Sequence, residues 1–461
     1  MKIVRAIAII FILLVTGPVF ASDWPQYLGP DRNAVSSEKG LLRSWPAGGP
    51  KVLWTIPLGE GYGGPAVSEG KVYVYDRVEN KTNILRCLDL TTGKEEWTFS
   101  NEAPGSVDHN GSRSSPTIDS NRIYVCDFFG NLHCLDKNTH KVLWQKNIWT
   151  DFGGTDLPRW AITQNPLIYQ NMVIVASQTE NAGLVAYDKQ TGDVVWKTAK
   201  LPGEAGYVSP TLVKIGGEDQ LIMISAAGMG MMFGGRGSAG QGDRGGAPPA
   251  GQGDRGGAPP SGQGAPPGMS MSSEKGVVSG YDPKTGDLLW SYDGFQCIIP
   301  VPNVTDIGNN RLFVTGGYDT GGTIIRIEQS ENSYTVKEIM KSSEFGSHCH
   351  PAILYKDHFY ANYTTNEVRD GMVCMDLNGM VKWKTKTDPL FDRGGNILVD
   401  DMIINMDGNG TLYLIEPTPE GFKMLSSAKL LDTKEAWAPL ALSDGKLLIR
   451  DQKQMKCVQV K

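Results

Sequence analysis

The sequence predicts an all-β fold built from repeated antiparallel units, and three observations lead to this prediction. A phrase containing Asp, Thr, Gly and Trp in that order returns along the chain, and a phrase centred on proline precedes each copy. The chain also has 56 glycines and 27 prolines in 461 residues, which indicates many turns. A repeat architecture accommodates this length because each unit buries its apolar face against its neighbours.

The first phrase predicts a strand, a turn and a second strand. Aspartate begins the turn through side-chain hydrogen bonds, glycine supplies a positive φ angle, and the second strand reaches a tryptophan. Each copy is therefore a β-hairpin. The copies "CLDLTTGKEEW", "CLDKNTHKVLW", "AYDKQTGDVVW", "GYDPKTGDLLW" and "CMDLNGMVKW" end at Trp97, Trp144, Trp196, Trp290 and Trp383.

The second phrase adds another hairpin before each copy of the first, as in "SPTIDSNRIYVC" from Ser115. Two hairpins make a four-stranded antiparallel blade, and a spacing of about 46 residues is typical of β-propellers. We therefore predict a single eight-bladed β-propeller, with seven blades as the alternative, because the fifth and seventh units lack a complete turn signature. The units start near Gly64, Ser115, Asn165, Ser209, Val301, His350, Asn396 and Ala438.

The two ends of the repeat region are complementary. The last unit stops after a strand at Lys456 to Val460, whereas "KVLWTIPL", from Lys51 to Leu58, is an outer strand with no unit before it. We expect these strands to complete one blade, with Trp54 as its docking tryptophan. This pairing removes the open sheet edges that promote aggregation.

The sequence divides into three parts. Residues 1–21 have Lys2 and Arg5 before a short apolar run and small residues before Ser22, which indicates a cleaved secretory signal and an exported protein, periplasmic or extracellular. An uncleaved anchor is the alternative. Residues 22–50 form an N-terminal segment, and residues 51–461 form the propeller. Its insertion at 229–274, rich in Gly and Pro, is either a flap over one face or an inert loop.

Charge and cysteine usage exclude several classes. The formal net charge is −6 and Lys and Arg do not cluster, so we expect no nucleic-acid partner and no binding to an anionic membrane surface. We also expect a monomer and no transmembrane segment in the mature chain. Cys87, Cys134, Cys374 and Cys457 occupy one recurring repeat position, in different blades. They should lie too far apart for disulfides, and we predict free, packed thiols.

These repeats resemble the propeller repeats of the pyrroloquinoline-quinone enzymes, with their D-x-x-T-G-x-x-x-W tryptophan-docking signature. The opening "DWPQYLGPDRN" from Asp23 resembles that of short exported bacterial quinoprotein-like proteins. The resemblance implies pyrroloquinoline quinone with calcium as the cofactor of an enzyme of this type. Quinoprotein alcohol dehydrogenases carry adjacent cysteines beside the quinone, and no two cysteines are adjacent here. Their calcium site and catalytic aspartate align with no segment of this chain.

Loops that lead into the first strands should converge at the mouth of the central channel. Arginine binds carboxylates and aromatic rings stack on apolar ring faces, so these loops suit a carboxylate, a sugar or an extended peptide. The alternative is that their polar groups cap strands and fill the channel with hydrogen bonds. The candidates are His109, Arg113, Arg159, Trp160, Gln164, Tyr207, His348, His350, Arg393 and Trp437.

Two short motifs are weaker signals. "HCH", from His348 to His350, has three potential ligands but does not complete a tetrahedral metal site. "DGNGT", from Asp407, resembles a fragment of a calcium loop, but the twelfth position is Thr418 where calcium needs a bidentate Glu, so a tight Gly-rich turn explains it better. No phosphate loop, serine elbow or carboxylate pair is present. We predict no catalytic residue and no metal ligand.

Two functions from different classes remain open. The first is a ligand-binding or protein-scaffold module of the cell envelope, which holds a small molecule, a saccharide or an extended peptide. The second is an enzyme, either a quinone-dependent dehydrogenase acting on alcohols or sugars, or a propeller hydrolase or lyase that uses Arg, His and Tyr of the channel loops.

Overall fold

The computed structural model describes residues 23–229, 272–331 and 333–461. They form eight antiparallel sheets in chain order, which confirms the all-β, eight-bladed propeller. The predicted signal at 1–21 and nearly all of the insertion at 229–274 lie outside the described residues. Within the described part of the chain, no helix has the length and apolarity needed to cross a membrane.

The first four blades follow the two-hairpin plan, and a short 3-10 helix, Thr150–Phe152, follows the second. Blade 1 comprises Ala66–Ser68, Lys71–Val78, Thr82–Asp89 and Glu95–Glu102. Blade 2 comprises Thr117–Asp119, Arg122–Cys126, Asn131–Asp136 and Val142–Asn147. Blade 3 comprises Leu167–Tyr169, Met172–Thr179, Ala182–Asp188 and Val194–Lys197. Blade 4 comprises Thr211–Ile215, Glu218–Ile224, Val278–Tyr281 and Leu288–Tyr292.

The last four blades complete the ring. Blade 5 comprises Thr305–Gly308, Arg311–Gly316, Gly321–Ser330 and Ser333–Ser342. Blade 6 comprises Ile353–Tyr355, His358–Thr364, Arg369–Asp376 and Val381–Lys384. Blade 7 comprises Asn396–Val399, Met402–Met406, Thr411–Glu416 and Lys423–Lys429. Blade 8 comprises Ala441–Ser443, Lys446–Arg450, Gln454–Gln459 and, as its outer strand, Lys51–Pro57.

Adjacent blades are held together by the repeat tryptophans. The Trp144 indole of blade 2 packs on Gly192 in the turn of blade 3 and donates a hydrogen bond to the Lys189 carbonyl (3.3 Å). Trp54 packs in the same way on Gly93 of blade 1. Glycine is required there because φ is positive and a Cβ would meet the ring.

The junctions of blade 1 with blade 2 and of blade 4 with blade 5 deviate from this pattern for visible reasons. Blade 2 carries His140 in place of the turn glycine, and the imidazole stacks on Trp97 with ring centroids 4.2 Å apart. Trp290 donates instead to Gln220 Oε1 of its own blade (2.7 Å), because blade 5 lacks the turn signature. The seven cysteines are free, and all but Cys349 are buried.

The N-terminal segment, described from residue 23 to residue 50, crosses the central channel instead of lying on the surface. First strands of neighbouring blades pack together around this channel. Trp24 exchanges two backbone hydrogen bonds with Val67 of blade 1, and Val35–Ser36 pairs in parallel with the first strand of blade 7. Between these contacts, Arg32 donates to the Asn165 and Pro166 carbonyls at the start of blade 3, which lies opposite blade 7, so the segment spans the ring.

Further bonds fix this segment along its course. The Pro25 carbonyl accepts from the Ile118 amide of blade 2 (2.8 Å), and Asp400 of blade 7 accepts from the amides of Gly40 and Leu41 (2.9 and 3.0 Å). The Leu42 amide donates to the Val460 carbonyl at the end of blade 8 (2.8 Å). Asp23 accepts from the Glu69 amide just after the first strand of blade 1 (3.0 Å), and Asp400 follows the first strand of blade 7, so these contacts place the segment across the end of the channel opposite the mouth.

Candidate functional site

The mouth is the face where loops lead into the first strands. We define the mouth cluster as the side chains that these loops, and one loop within blade 5, bring into contact or electrostatic range of one another. Eight of the ten candidates belong to it, and three further residues join them. The cluster comprises Tyr62, His109, Arg113, Arg159, Trp160, Tyr207, Tyr318, His348, Arg393, Glu435 and Trp437.

Arg393 organises one side of the mouth. Its three guanidinium nitrogens donate to His348 Nδ1 (2.8 Å), Asp392 Oδ1 (3.0 Å) and Asn366 Oδ1 (3.0 Å). Burial, with the nearby positive charges of Arg393 and His109, lowers the pKa of His348 to about 3. His348 is therefore neutral at pH 7 and can accept this bond.

Three aromatic rings and one carboxylate lie beside Arg393. The Tyr62 hydroxyl donates to Glu435 Oε2 (2.5 Å), and His109 Nδ1 lies 3.8 Å from Glu435 Oε1. The Trp437 ring centroid lies 5.7 Å from that of Tyr62 and 5.5 Å from that of His109. The Arg393 guanidinium stacks over Trp437 at 5.0 Å, a cation–π arrangement.

A second arginine–tryptophan pair lies on the loop that leads into blade 3. The Arg159 guanidinium is 5.1 Å from the Trp160 ring, and Arg159 Nε is 3.2 Å from Asp108 Oδ2. The Trp160 amide donates to the Tyr207 hydroxyl (3.3 Å). Blade 3 lies four blades from blade 7 in the ring of eight, so the two pairs face each other across the mouth.

Arg113 contacts the backbone of the loop that carries Trp160. It donates to the carbonyl of Trp160 and to those of Asp108 and His109 (2.5 and 2.7 Å). Burial lowers its pKa to about 10, so the guanidinium remains charged at pH 7. The mouth is therefore not simply basic, because Asp108, Asp392 and Glu435 accompany its cations.

Gln164 and His350 lie outside this cluster. Gln164 Nε2 donates to the Val208 carbonyl (3.0 Å) and its Oε1 accepts from the Ala176 amide (3.0 Å). His350 Nε2 lies 2.8 Å from the Trp437 carbonyl, and its side chain is buried. Both residues link strands around the channel, as the strand-capping alternative describes.

The two short motifs act as loop structure. His348 and His350 bind different partners, and the described residues contain no group of three His, Cys, Asp or Glu side chains that could hold a metal ion. Asp407 Oδ1 accepts from the amides of Asn409 (2.7 Å) and Thr411 (2.9 Å). The "DGNGT" segment is therefore a tight turn within blade 7.

Sequence reasoning missed Tyr62, Tyr318 and Glu435. Glu435 precedes the candidate Trp437 by two residues, and Tyr62 precedes the first-strand phrase of blade 1. Both residues therefore lie in the same kind of loop as the predicted candidates, and this position is the signal that identifies them. Tyr318 lies in a loop of blade 5, and its ring meets His348 edge-on at 4.8 Å. His109, Tyr318 and Glu435 all have positive φ, a strained conformation that is frequent at ligand sites.

The cofactor implied by the repeats does not fit this mouth. Calcium requires six to eight oxygen ligands, and no acidic cluster of the described residues provides them. The mouth carboxylates are already bound: Asp392 to Arg393, Asp108 to Arg159, and Glu435 to Tyr62. The calcium-bound quinone therefore has no matching donor set here.

Sequence comparisons connect the chain to two groups of proteins. A family model described as outer membrane protein assembly factor BamB matches residues 21–116 and 80–241. BamB of Yersinia pestis is 25% identical over 205 residues, covering 44% of this chain and 47% of that protein. The quinohemoprotein alcohol dehydrogenase of Comamonas testosteroni is 25% identical over 148 residues, 30% of this chain and 20% of that protein. The matches thus span less than half of either relative.

Solved structures extend the likeness over the whole ring. A europium-containing methanol dehydrogenase superposes with a TM-score of 0.61 at 14% identity, covering 93% of this chain and 89% of that one. The Comamonas testosteroni enzyme gives a TM-score of 0.60 at 13% identity, covering 95% and 80%. Identity this low shows the fold alone. With the structure of the chain, these results show an eight-bladed β-propeller, whose repeats are similar to those of BamB and of the quinoprotein alcohol dehydrogenases.

Proposed function

We propose that the protein is an exported binding module of the cell envelope that holds a polar ligand at its mouth. Support for export comes from the predicted signal at residues 1–21 and from a relative named as an outer membrane protein assembly factor. The mouth offers aromatic rings, hydrogen-bond donors and hydrogen-bond acceptors together, as ligand pockets do. It needs no catalytic constellation to act in this way.

The observation that carries the proposal is the pair of arginine–tryptophan stacks on opposite sides of a channel closed at its other end. Arg159 with Trp160 and Arg393 with Trp437 present ring faces and guanidinium groups at similar separations, 5.1 and 5.0 Å. We infer that a ligand enters through the mouth, because the N-terminal segment lies across the opposite end of the channel.

A saccharide is the ligand class that this mouth suits best. Its apolar ring faces can stack on Trp437 and Trp160, and its hydroxyls can both donate to Glu435 and Asp108 and accept from the arginines. The accompanying carboxylates would oppose a strongly anionic ligand at the rim. A peptide segment offers similar hydrogen bonds with fewer flat apolar faces, and binding of a peptide is the competing outcome.

The test is a calorimetric titration of the mature protein with a neutral linear trisaccharide, a uronic-acid trisaccharide and a tripeptide. We expect a saccharide to bind, and Trp437→Ala to weaken its binding at least about tenfold, equivalent to about 1.4 kcal/mol. Trp97→Ala is the matched control, because Trp97 lies on the outer strand of blade 1, away from the mouth, and stacks there on His140 of blade 2. Tighter binding of the tripeptide would replace the saccharide with a peptide ligand, and equal loss in both variants would contradict the mouth as the site.

A quinone-dependent dehydrogenase is the second function that the relatives' names suggest. The carboxylates at the mouth are engaged by arginine and tyrosine side chains, and this argues against the calcium-bound quinone. We derive no step of a reaction through that cofactor. A direct measurement of quinone uptake separates the two functions.

A further inference from the structure

The N-terminal segment places a buried arginine in the central channel. Arg32 is 5% exposed, and its guanidinium reaches the start of the first strand of blade 3. Nη1 donates to the Pro166 carbonyl (3.1 Å) and to Gln26 Oε1 (3.3 Å), and Nη2 donates to the Asn165 carbonyl (3.1 Å). Nε is buried and has no hydrogen-bond partner.

The free edge of this guanidinium is the one that suits a bidentate anion. Arginine commonly binds a carboxylate or phosphate through two parallel N–H groups. In Arg32, Nε makes no hydrogen bond and Nη2 makes one, whereas Nη1 makes two. The Nε–Nη2 edge therefore keeps donors that the described protein leaves unused.

No counter-charge within the described residues compensates Arg32. The titratable groups that face this region are the Tyr27 hydroxyl and the Cys349 thiol. Burial raises the pKa of Tyr27 well above its usual value and raises the pKa of Cys349 to about 12, so both are neutral at pH 7. The Tyr27 ring lies 5.6 Å from the guanidinium and adds only a cation–π contact.

Two other buried arginines have acidic side chains nearby. Burial lowers the pKa of Arg77, and the negative charge of Asp127 opposes this effect. Burial likewise lowers the pKa of Arg450, opposed by Asp76 and Asp451. An uncompensated buried charge is strongly destabilising, so a fold normally supplies a partner of opposite charge.

We propose that the free edge of Arg32 binds an oxyanion, a carboxylate or a phosphate-like group, inside the channel. The site exists only when the N-terminal segment is docked, because that segment carries both Arg32 and Tyr27. It lies apart from the rim stacks and does not rest on the proposed saccharide ligand. Binding to the docked segment stabilises it by mass action.

The main test is a calorimetric titration of the mature protein, free of oxyanions, with sodium phosphate and separately with sodium acetate. We expect one site per chain, and we expect Arg32→Gln to weaken binding at least about tenfold. Arg43→Gln is the matched control, since it removes the same charge from an exposed position in the same segment, where Arg43 donates to the Asp400 carbonyl (2.9 Å). This control should change binding less than about twofold.

Two outcomes would overturn the proposal: no saturable binding of either anion, or equal loss in both variants. Tighter binding of acetate would identify a carboxylate, and tighter binding of phosphate a phosphate-like group. If Arg32→Gln does not fold, the unmodified protein decides the question. Crystals soaked in selenate should show an anomalous peak within hydrogen-bond distance of Arg32 Nε, and a peak elsewhere or none would reject the site.

Discussion

At the scale of single residues, the mouth is organised by hydrogen bonds that fix protonation states. Arg393 Nε donates to His348 Nδ1, so the imidazole must present a lone pair there. Protonation would place a second donor against the guanidinium. The contacts of the Glu435 carboxylate with His109 and with the Tyr62 hydroxyl lower its pKa, so this carboxylate remains ionised at pH 7.

The neutral state of His348 predicts acid sensitivity. Its folded pKa is about 3, whereas an unfolded histidine titrates near 6.5. Between these values the unfolded chain binds a proton that the folded chain does not, so the free energy of unfolding falls as pH falls. Urea unfolding at pH 7 and at pH 5 gives the fall in the free energy of unfolding between these pH values. This fall should be about 1–2 kcal/mol smaller in His348→Gln than in the unmodified protein.

The control for this measurement is His140→Gln, which alters an exposed histidine on blade 2. It should retain the acid destabilisation of the unmodified protein. An identical pH dependence in His348→Gln would show that His348 is not held neutral.

At the scale of elements, the blade is what sequence reasoning predicts best. The D-x-x-T-G-x-x-x-W phrase specifies a local turn, and the same glycine receives the neighbouring tryptophan, so one motif encodes both the hairpin and the junction. Blade 5 is harder to delimit from the sequence because its last two strands are long, Gly321–Ser330 and Ser333–Ser342, and because Met340 packs on Gly379 in place of a repeat tryptophan.

The junction can be tested with two glycines that share a backbone conformation. Gly192 has φ +74° and a Cβ there would lie 2.8 Å from Trp144, whereas Gly217 has φ +89° and open space around it. Both Gly→Ala substitutions incur backbone strain, but only Gly192→Ala displaces the indole. Denaturant unfolding should show Gly192→Ala to be less stable than Gly217→Ala by about 1–3 kcal/mol, and equal losses would contradict the junction.

At the scale of the whole molecule, the N-terminal segment determines that the channel has one open end. Its contacts join residues more than a hundred positions apart, such as Arg32 with Asn165 and Pro166, and no local pattern encodes them. The mouth loops could be selected from the sequence because they precede each first strand. Which of these loops face each other across the ring depends on the number and order of the blades, and this could not be predicted from the loop sequences.

Docking of the segment predicts a large effect for one buried tryptophan. Trp24 is 2% exposed, so Trp24→Ala should lower the free energy of unfolding by about 3–5 kcal/mol. Trp45→Ala, in the same segment but only partly buried, is the control and should cost less. Hydrogen exchange should accelerate at the Val67 amide, which donates to Trp24. Unchanged exchange at Val67 would contradict docking of the segment.

We propose that this propeller binds a ligand at its mouth without the quinone chemistry that its repeats suggest. The most direct test is a titration of the purified mature protein with pyrroloquinoline quinone and Ca²⁺, followed by the visible spectrum and by retention of quinone after gel filtration. We expect no stoichiometric uptake, because the mouth carboxylates are bound to Arg393, Arg159 and Tyr62. A retained one-to-one complex that oxidises an alcohol or a sugar would contradict it and identify a dehydrogenase.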